Sequence, residues 1–190
     1  MKLFFYDLET TGVKHWKNGI HQISGRIVID GEVKEEFNFK TKPNPKCLIE
    51  DEALAIANIT RADLETYTDF NKTYRDLVNM LSKYVDKFNK TDKFHLVGYN
   101  NASFDNNFLR AFFVQNFDNY FGSWFWSDSI DVMVLASNYL MKERPFLANF
   151  KLMTVASYLG IEVEEEKLHD ALYDIYLTQQ IFEIIKRNEI

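Results

Sequence analysis

Leu3 to Leu8 is an almost unbroken apolar run, the pattern of a strand buried on both faces, and it stops at the polar Glu9-Thr10-Thr11-Gly12. A second strand is expected across Ile23 to Ile29, where Asp30-Gly31 predicts a hairpin turn into a third strand near Val33 to Phe39. The first third of the chain is therefore antiparallel in character. Pro43 and Pro45 mark a loop, and a short helix is expected across Glu50 to Asn58. From Phe70 the apolar positions Tyr74, Leu77, Val78, Leu81, Tyr84, Val85 and Phe88 recur at steps of three and four, which predicts one helix from Phe70 to Phe88. Phe94 to Val97 reads as a fourth strand, and Phe104, Phe108, Leu109, Phe112 and Phe113 as a helix that begins just after Asn100-Asn101. A further strand is expected near Trp124 to Trp126, then helices around Val132 to Met141, Leu152 to Leu159 and Ala171 to Ile185. This order predicts an α/β fold, a mixed central sheet with antiparallel first three strands and flanking helices.

Composition narrows the picture. The 190 residues are 46% hydrophobic and 26% charged, which places the chain among packed globular proteins rather than disordered ones. With 7 Gly, 3 Pro, no internal repeat and no flexible linker, nothing divides it, so residues 1–190 are read as a single domain. Cys47 is the only cysteine, which excludes an internal disulfide framework and a multi-cysteine zinc site. No apolar run is long enough to span a bilayer, and Asp7 interrupts the first apolar stretch too early for a signal peptide; a soluble, cytoplasmic protein without a membrane partner is expected. The formal net charge of -6 argues against a nucleic-acid partner unless clustered carboxylates hold cations that reverse the local field.

Three segments supply such carboxylates. Because side chains alternate along a strand, Asp7 and Glu9 share one face at the end of the first strand, where both stay ionised only beside a cation such as Mg²⁺ or Mn²⁺. Taken alone, a solvated turn explains the pair better. Asp105 stands at the start of a helix, where an acid is favoured for electrostatic reasons alone. His169 and Asp174 would diverge by about 140° on one helix, yet address one site if His169 precedes the helix, Asp170 caps it and Asp174 lies in its first turns.

Together these residues carry a resemblance. Asp7-Leu8-Glu9-Thr10-Thr11-Gly12, Asn101-Ala102-Ser103-Phe104-Asp105 and His169-Asp170-Ala171-Leu172-Tyr173-Asp174 match, in order, the three motifs of the DEDDh group of 3′-to-5′ exonucleases, the family that includes the proofreading subunit of bacterial DNA polymerase III. Ala53 to Thr60, Ile130 to Ala136 and Phe150 to Ile161 are similar to intervening family segments. Ala57-Asn58 replaces the usual His-Gly, and Asn100 stands where the family often has His. Three ordered motifs are a far stronger signal than any one of them.

The resemblance implies a ribonuclease H-like fold and a metal-dependent 3′-to-5′ exonuclease that releases nucleoside 5′-monophosphates from single-stranded 3′ ends. It assigns two divalent cations, Mg²⁺ or Mn²⁺, to Asp7, Glu9, Asp105 and Asp174, with Asp7 bridging, and makes His169 the general base. It places the terminal nucleotide near Glu9 and the stretch Leu8, Thr10 and Thr11, with Asn101 as a further substrate contact, and makes Asp131 a structural helix-starting residue. DNA is favoured over RNA; an exoribonuclease of the same family and a non-catalytic nucleic-acid-binding module are the competing readings. A polymerase or other replication partner is left open. Lys14, Lys17, Lys142, Arg144 and Lys151 are candidates for upstream phosphates and Trp16 for base stacking, each against the plainer reading of scattered surface lysines and a partly buried tryptophan.

Overall fold

The computed structural model of the chain describes residues 1–167 and 170–188. His169 lies outside the described residues. The strands β1 (Lys2–Thr10), β2 (Ile20–Ile29), β3 (Glu32–Lys40), β4 (His95–Gly98) and β5 (Ile130–Asp131) form one sheet in the order β3-β2-β1-β4-β5. β1 runs antiparallel to β2 and β2 to β3, whereas β4 and β5 continue the sheet parallel to β1. The mixed α/β architecture expected from the apolar pattern is therefore present. Asp30 and Gly31 both take positive φ, at 52° and 86°, the backbone that a tight two-residue hairpin with native strand twist demands.

Alternation along β1 divides the core. Phe4, Tyr6 and Leu8 face one layer, where they pack with α3 (Phe70–Leu81) and α4 (Asp105–Gln115). Leu3 and Phe5 face the other, built from α5 (Val132–Tyr139), α6 (Leu152–Tyr158) and α7 (Ala171–Asn188). Each fully buried phenylalanine, Phe4 and Phe5 among them, contributes about 1.5–3 kcal/mol by leaving water. β1 is thus buried on both faces, as its apolar run requires.

Three features depart from the expected elements. The periodicity from Phe70 predicts helix to Phe88, but α3 stops at Leu81. There the Ser82 hydroxyl turns back to donate to the Asn79 carbonyl at 2.8 Å, a local bond that competes with helix continuation. Lys2 then holds the following turn by donating to the Tyr84 carbonyl and pairing with Asp92. Val85 still reaches the core, while Phe88 is 84% exposed. Second, Trp124 to Trp126 is not a strand of the sheet: it makes a single bridge between Phe94 and Phe125, and the strand beside β4 is β5. Third, between α1 (Asp51–Ile56) and α3 the chain forms α2 (Arg61–Thr66), where Thr60 and Asp63 build a reciprocal capping box. No helix among the described residues is long and apolar enough to cross a membrane.

Candidate active site

Asp7 and Glu9 extend the face of β1 that carries Leu3 and Phe5, so the alternation that buries those two side chains also aims both carboxylates toward α7. Asp7 pairs with Ser24 and Glu9 with Gln22; the register then slips between Glu9 and Thr10, where His21 is the extra residue of β2. From α7 comes Asp174, one position before the buried Ile175. Asp170 caps this helix, its carboxylate accepting from the backbone N–H groups of Leu172 at 3.0 Å and Tyr173 at 3.1 Å.

Asp105 arrives from the opposite layer as the first residue of α4 and is 6% exposed. The approach to it is tightly built. Asn101 is buried, and its side chain folds back over Gly98 so closely that a Cβ there would lie 2.7 Å from the Asn101 Cβ. The Tyr6 hydroxyl donates to the Asn106 side chain, which in turn donates to Ser129 at 2.8 Å. Asp131 caps α5, accepting from Met133 at 3.0 Å, and the same oxygen accepts from the backbone N–H of Asn100 at 3.0 Å. Asn100 holds a left-handed φ of 59°, which asparagine tolerates better than most residues. Asp131 therefore ties the loop before Asp105 to the layer that carries α7.

Burial and mutual charge act on these groups. The Asp7 carboxyl is raised well above the usual carboxylate range by burial, and then by the charges of Asp105, Glu9 and Asp174; the Leu8 backbone amide opposes the rise. Asp105 is pushed up to about 7, first by burial and further by Glu9 and Asp131, against its own and Leu8's backbone N–H groups. Glu9 and Asp174 are themselves engaged in interactions. Among the described residues, no three His, Cys, Asp or Glu side chains are gathered in a metal-coordinating group. The fit to divalent cations rests on the donor chemistry, an all-oxygen carboxylate set, and on the repulsion that such ions would relieve.

The burial of Asp105, with the charges beside it, has a measurable consequence. Because the Asp105 pKa in the folded chain lies above its ordinary 3.8, its contribution to stability is complete below about pH 4 and is lost as pH rises through 7. The loss is at most of the order of 4 kcal/mol, at about 1.4 kcal/mol for each unit of the rise. In EDTA the melting temperature is expected to fall between pH 5 and pH 8, and the Asp105→Asn variant to flatten that fall. Mn²⁺ is expected to restore stability at pH 7.5 far more than at pH 4.5. Equal melting curves with and without the ion at pH 7.5 would remove the site's claim to cations.

Beside Glu9 opens a cleft of about 370 Å³, lined also by Gln22, Lys40, Asn58, Tyr67 and Asp170. Asn58 takes a φ of 52°, the backbone its glycine counterpart in the resemblance would adopt freely. The Lys40 ammonium lies 5.5 Å from the Tyr67 ring centre. Sequence reasoning passed over Gln22, Lys40 and Tyr67, and only the strand register, which pairs Glu9 with Gln22 and Gln22 with Lys40, could have located two of them. Of the proposed substrate contacts, Leu8 offers its backbone amide to the carboxylates, and the Thr10 hydroxyl donates to the Gly12 carbonyl at 2.8 Å. The Thr11 hydroxyl is used inside the loop, donating to Leu48 at 2.7 Å and accepting from Gly19 at 2.9 Å.

Comparisons with known proteins bear on the family and the fold. The chain is 28% identical over 180 residues to a PolC-type DNA polymerase III of Mycoplasmopsis pulmonis, covering 93% of this chain and 11% of that polymerase. Its fold superposes on E. coli exonuclease I in complex with a dT13 oligonucleotide with a TM-score of 0.76 at 23% identity, over 97% of this chain and 41% of the other. The zinc-bound form of an E. coli exonuclease I complex with single-stranded DNA gives a TM-score of 0.78 at 22% identity, over 98% and 40% of the two chains. The chain thus spans only a fraction of each of these proteins. The RNase_T exonuclease family matches from residue 4 to residue 182, a stretch that takes in all four carboxylates, and the chain belongs to that family as a DEDD-type 3′-to-5′ exonuclease domain.

Proposed function

We propose that the chain hydrolyses phosphodiester bonds at the 3′ ends of single-stranded DNA, one nucleoside 5′-monophosphate at a time. What supports this reading is that the buried Asp7 is acted on by the charges of Asp105, Glu9 and Asp174, acids that come from three distant segments and both helical layers. Divalent cations bound there would lower the pKa of water and offset charge on the reacting phosphate. Asp7, Glu9, Asp105 and Asp174 would hold two such ions, Mg²⁺ or Mn²⁺. His169 would accept the proton of the attacking water, for which a near-neutral imidazole is suited. Backbone Leu8 and the cleft beside Glu9 would seat the terminal nucleotide, so that a strand end rather than a strand interior enters. The likeness to a DNA polymerase and to an exonuclease bound to oligodeoxynucleotide supports DNA over RNA.

Digestion of 3′-labelled and 5′-labelled oligomers of DNA and of RNA, with and without EDTA, tests every part of this. The expected result is early release of the 3′ label as mononucleotide, a shortening ladder from the 5′ label, faster cutting of DNA, and complete arrest by EDTA. Internal fragments, or cleavage that survives EDTA, would overturn the reading. Faster cutting of RNA would transfer it to the exoribonuclease alternative.

A further inference from the structure

The loop that follows β1 is held with unusual firmness for a surface segment. Asn18 is fully buried and donates to the Thr11 carbonyl at 3.3 Å, the Leu48 carbonyl at 3.2 Å and the Glu50 carboxylate at 3.0 Å, while its own side-chain oxygen accepts from the Lys14 amide at 2.9 Å. The backbone N–H groups of Lys17 and Asn18 both return to the Lys14 carbonyl. On this fixed frame Trp16 is 73% exposed. The plainer sequence reading, a partly buried tryptophan, does not hold. An indole left in water on a rigid support forgoes the burial that ordinarily accounts for tryptophan in a fold.

The position of the ring says what it faces. His15 packs edge-on against Trp16, with centroids 4.9 Å apart, and edge-on against Phe108 at 6.2 Å. Phe108 stands three residues after Asp105 on α4. His15, on which Trp16 packs, therefore links the loop after β1 to the first turns of α4, the helix that begins at Asp105. Lys14 and Lys17, on either side of it, are exposed cations in a chain of net charge -6. An aromatic face between two lysines, at the rim of a phosphodiester-cleaving site, is the arrangement that grips a flexible single strand: the ring takes a base and the cations its phosphates.

We propose that Trp16 is a stacking platform for a base near the 3′ end of bound single-stranded nucleic acid, with Lys14 and Lys17 meeting the adjoining phosphates. The proposal rests on the exonuclease reading and adds to it a residue that binds without entering the chemistry. Its test is steady-state digestion of a thymidine oligomer by the wild type, Trp16→Ala and Trp16→Phe. Trp16→Ala is expected to raise KM roughly ten-fold with kcat within about two-fold, the size that one base–aromatic stack contributes, and Trp16→Phe to restore most of the loss. Tryptophan emission should be quenched by the oligomer in the wild type and less so in Trp16→Phe, where the buried Trp124 and the half-buried Trp126 remain. An unchanged KM in Trp16→Ala, a Phe variant as poor as the Ala variant, or quenching undiminished in Trp16→Phe would overturn the platform. Each would do so while the wild type still shortens the oligomer, whereas failure of the wild type itself would overturn the exonuclease reading.

Discussion

Replacing Asp7 with Asn is expected to reduce hydrolysis by about a thousand-fold or more while making the metal-free protein more stable. Both effects come from one charge. Asp7 feels three other carboxylates and is itself protonated more readily than an ordinary aspartate, so a neutral amide of nearly the same size relieves repulsion and preserves the pairing of β1 with β2. The same exchange removes a proposed cation ligand, and several kcal/mol of charge stabilisation at the reacting phosphate go with it. The paired measurement is kcat on a labelled oligomer and the melting temperature in EDTA. An active variant would exclude Asp7 from the chemistry; an inactive variant that melts lower would show only that the substitution damages the fold.

His169→Ala is the second large effect expected, a loss of between about a hundred-fold and ten-thousand-fold, the range that one positioned general base supplies. Since the carboxylates remain, the Mn²⁺-dependent rise in melting temperature should survive in this variant. Below neutrality the wild-type rate should decline as the imidazole takes up a proton and can no longer accept one from water. The decline should be absent from the residual activity of the variant. If the variant keeps the wild-type pH profile, another group is the base.

Much of this architecture was legible before any coordinates. The run Leu3 to Leu8 announced a strand buried on both faces, and the Asp30-Gly31 dipeptide announced its hairpin, because both signals are local. What failed was governed from a distance. Lys2 and Asp92 fix the chain around Tyr84 and help end a helix whose apolar spacing runs on to Phe88, and no window of sequence around that helix contains Lys2. The Trp124 to Trp126 segment has strand-like residues but its backbone bridges to Phe94 alone among the described residues, so it remains a bridge. At the site, acidic residues stood out by type and order, whereas Gln22, Lys40 and Tyr67 entered the cleft through sheet register and loop packing. The second duty of Asp131, holding Asn100, is equally invisible in sequence, where the residue shows only as the start of a helix.

β1 stands in the middle of the sheet, with acidic groups reaching its end from both helical layers. One acid comes down from each layer and two belong to the strand itself, so no fragment containing a single layer possesses the whole set. A nascent polypeptide would remain harmless to nucleic acid until the segment bearing Asp174 had left the ribosome and closed over the sheet. Under the proposed assignment of the four acids, cutting power would be a report on completed folding, withheld from every partly assembled form.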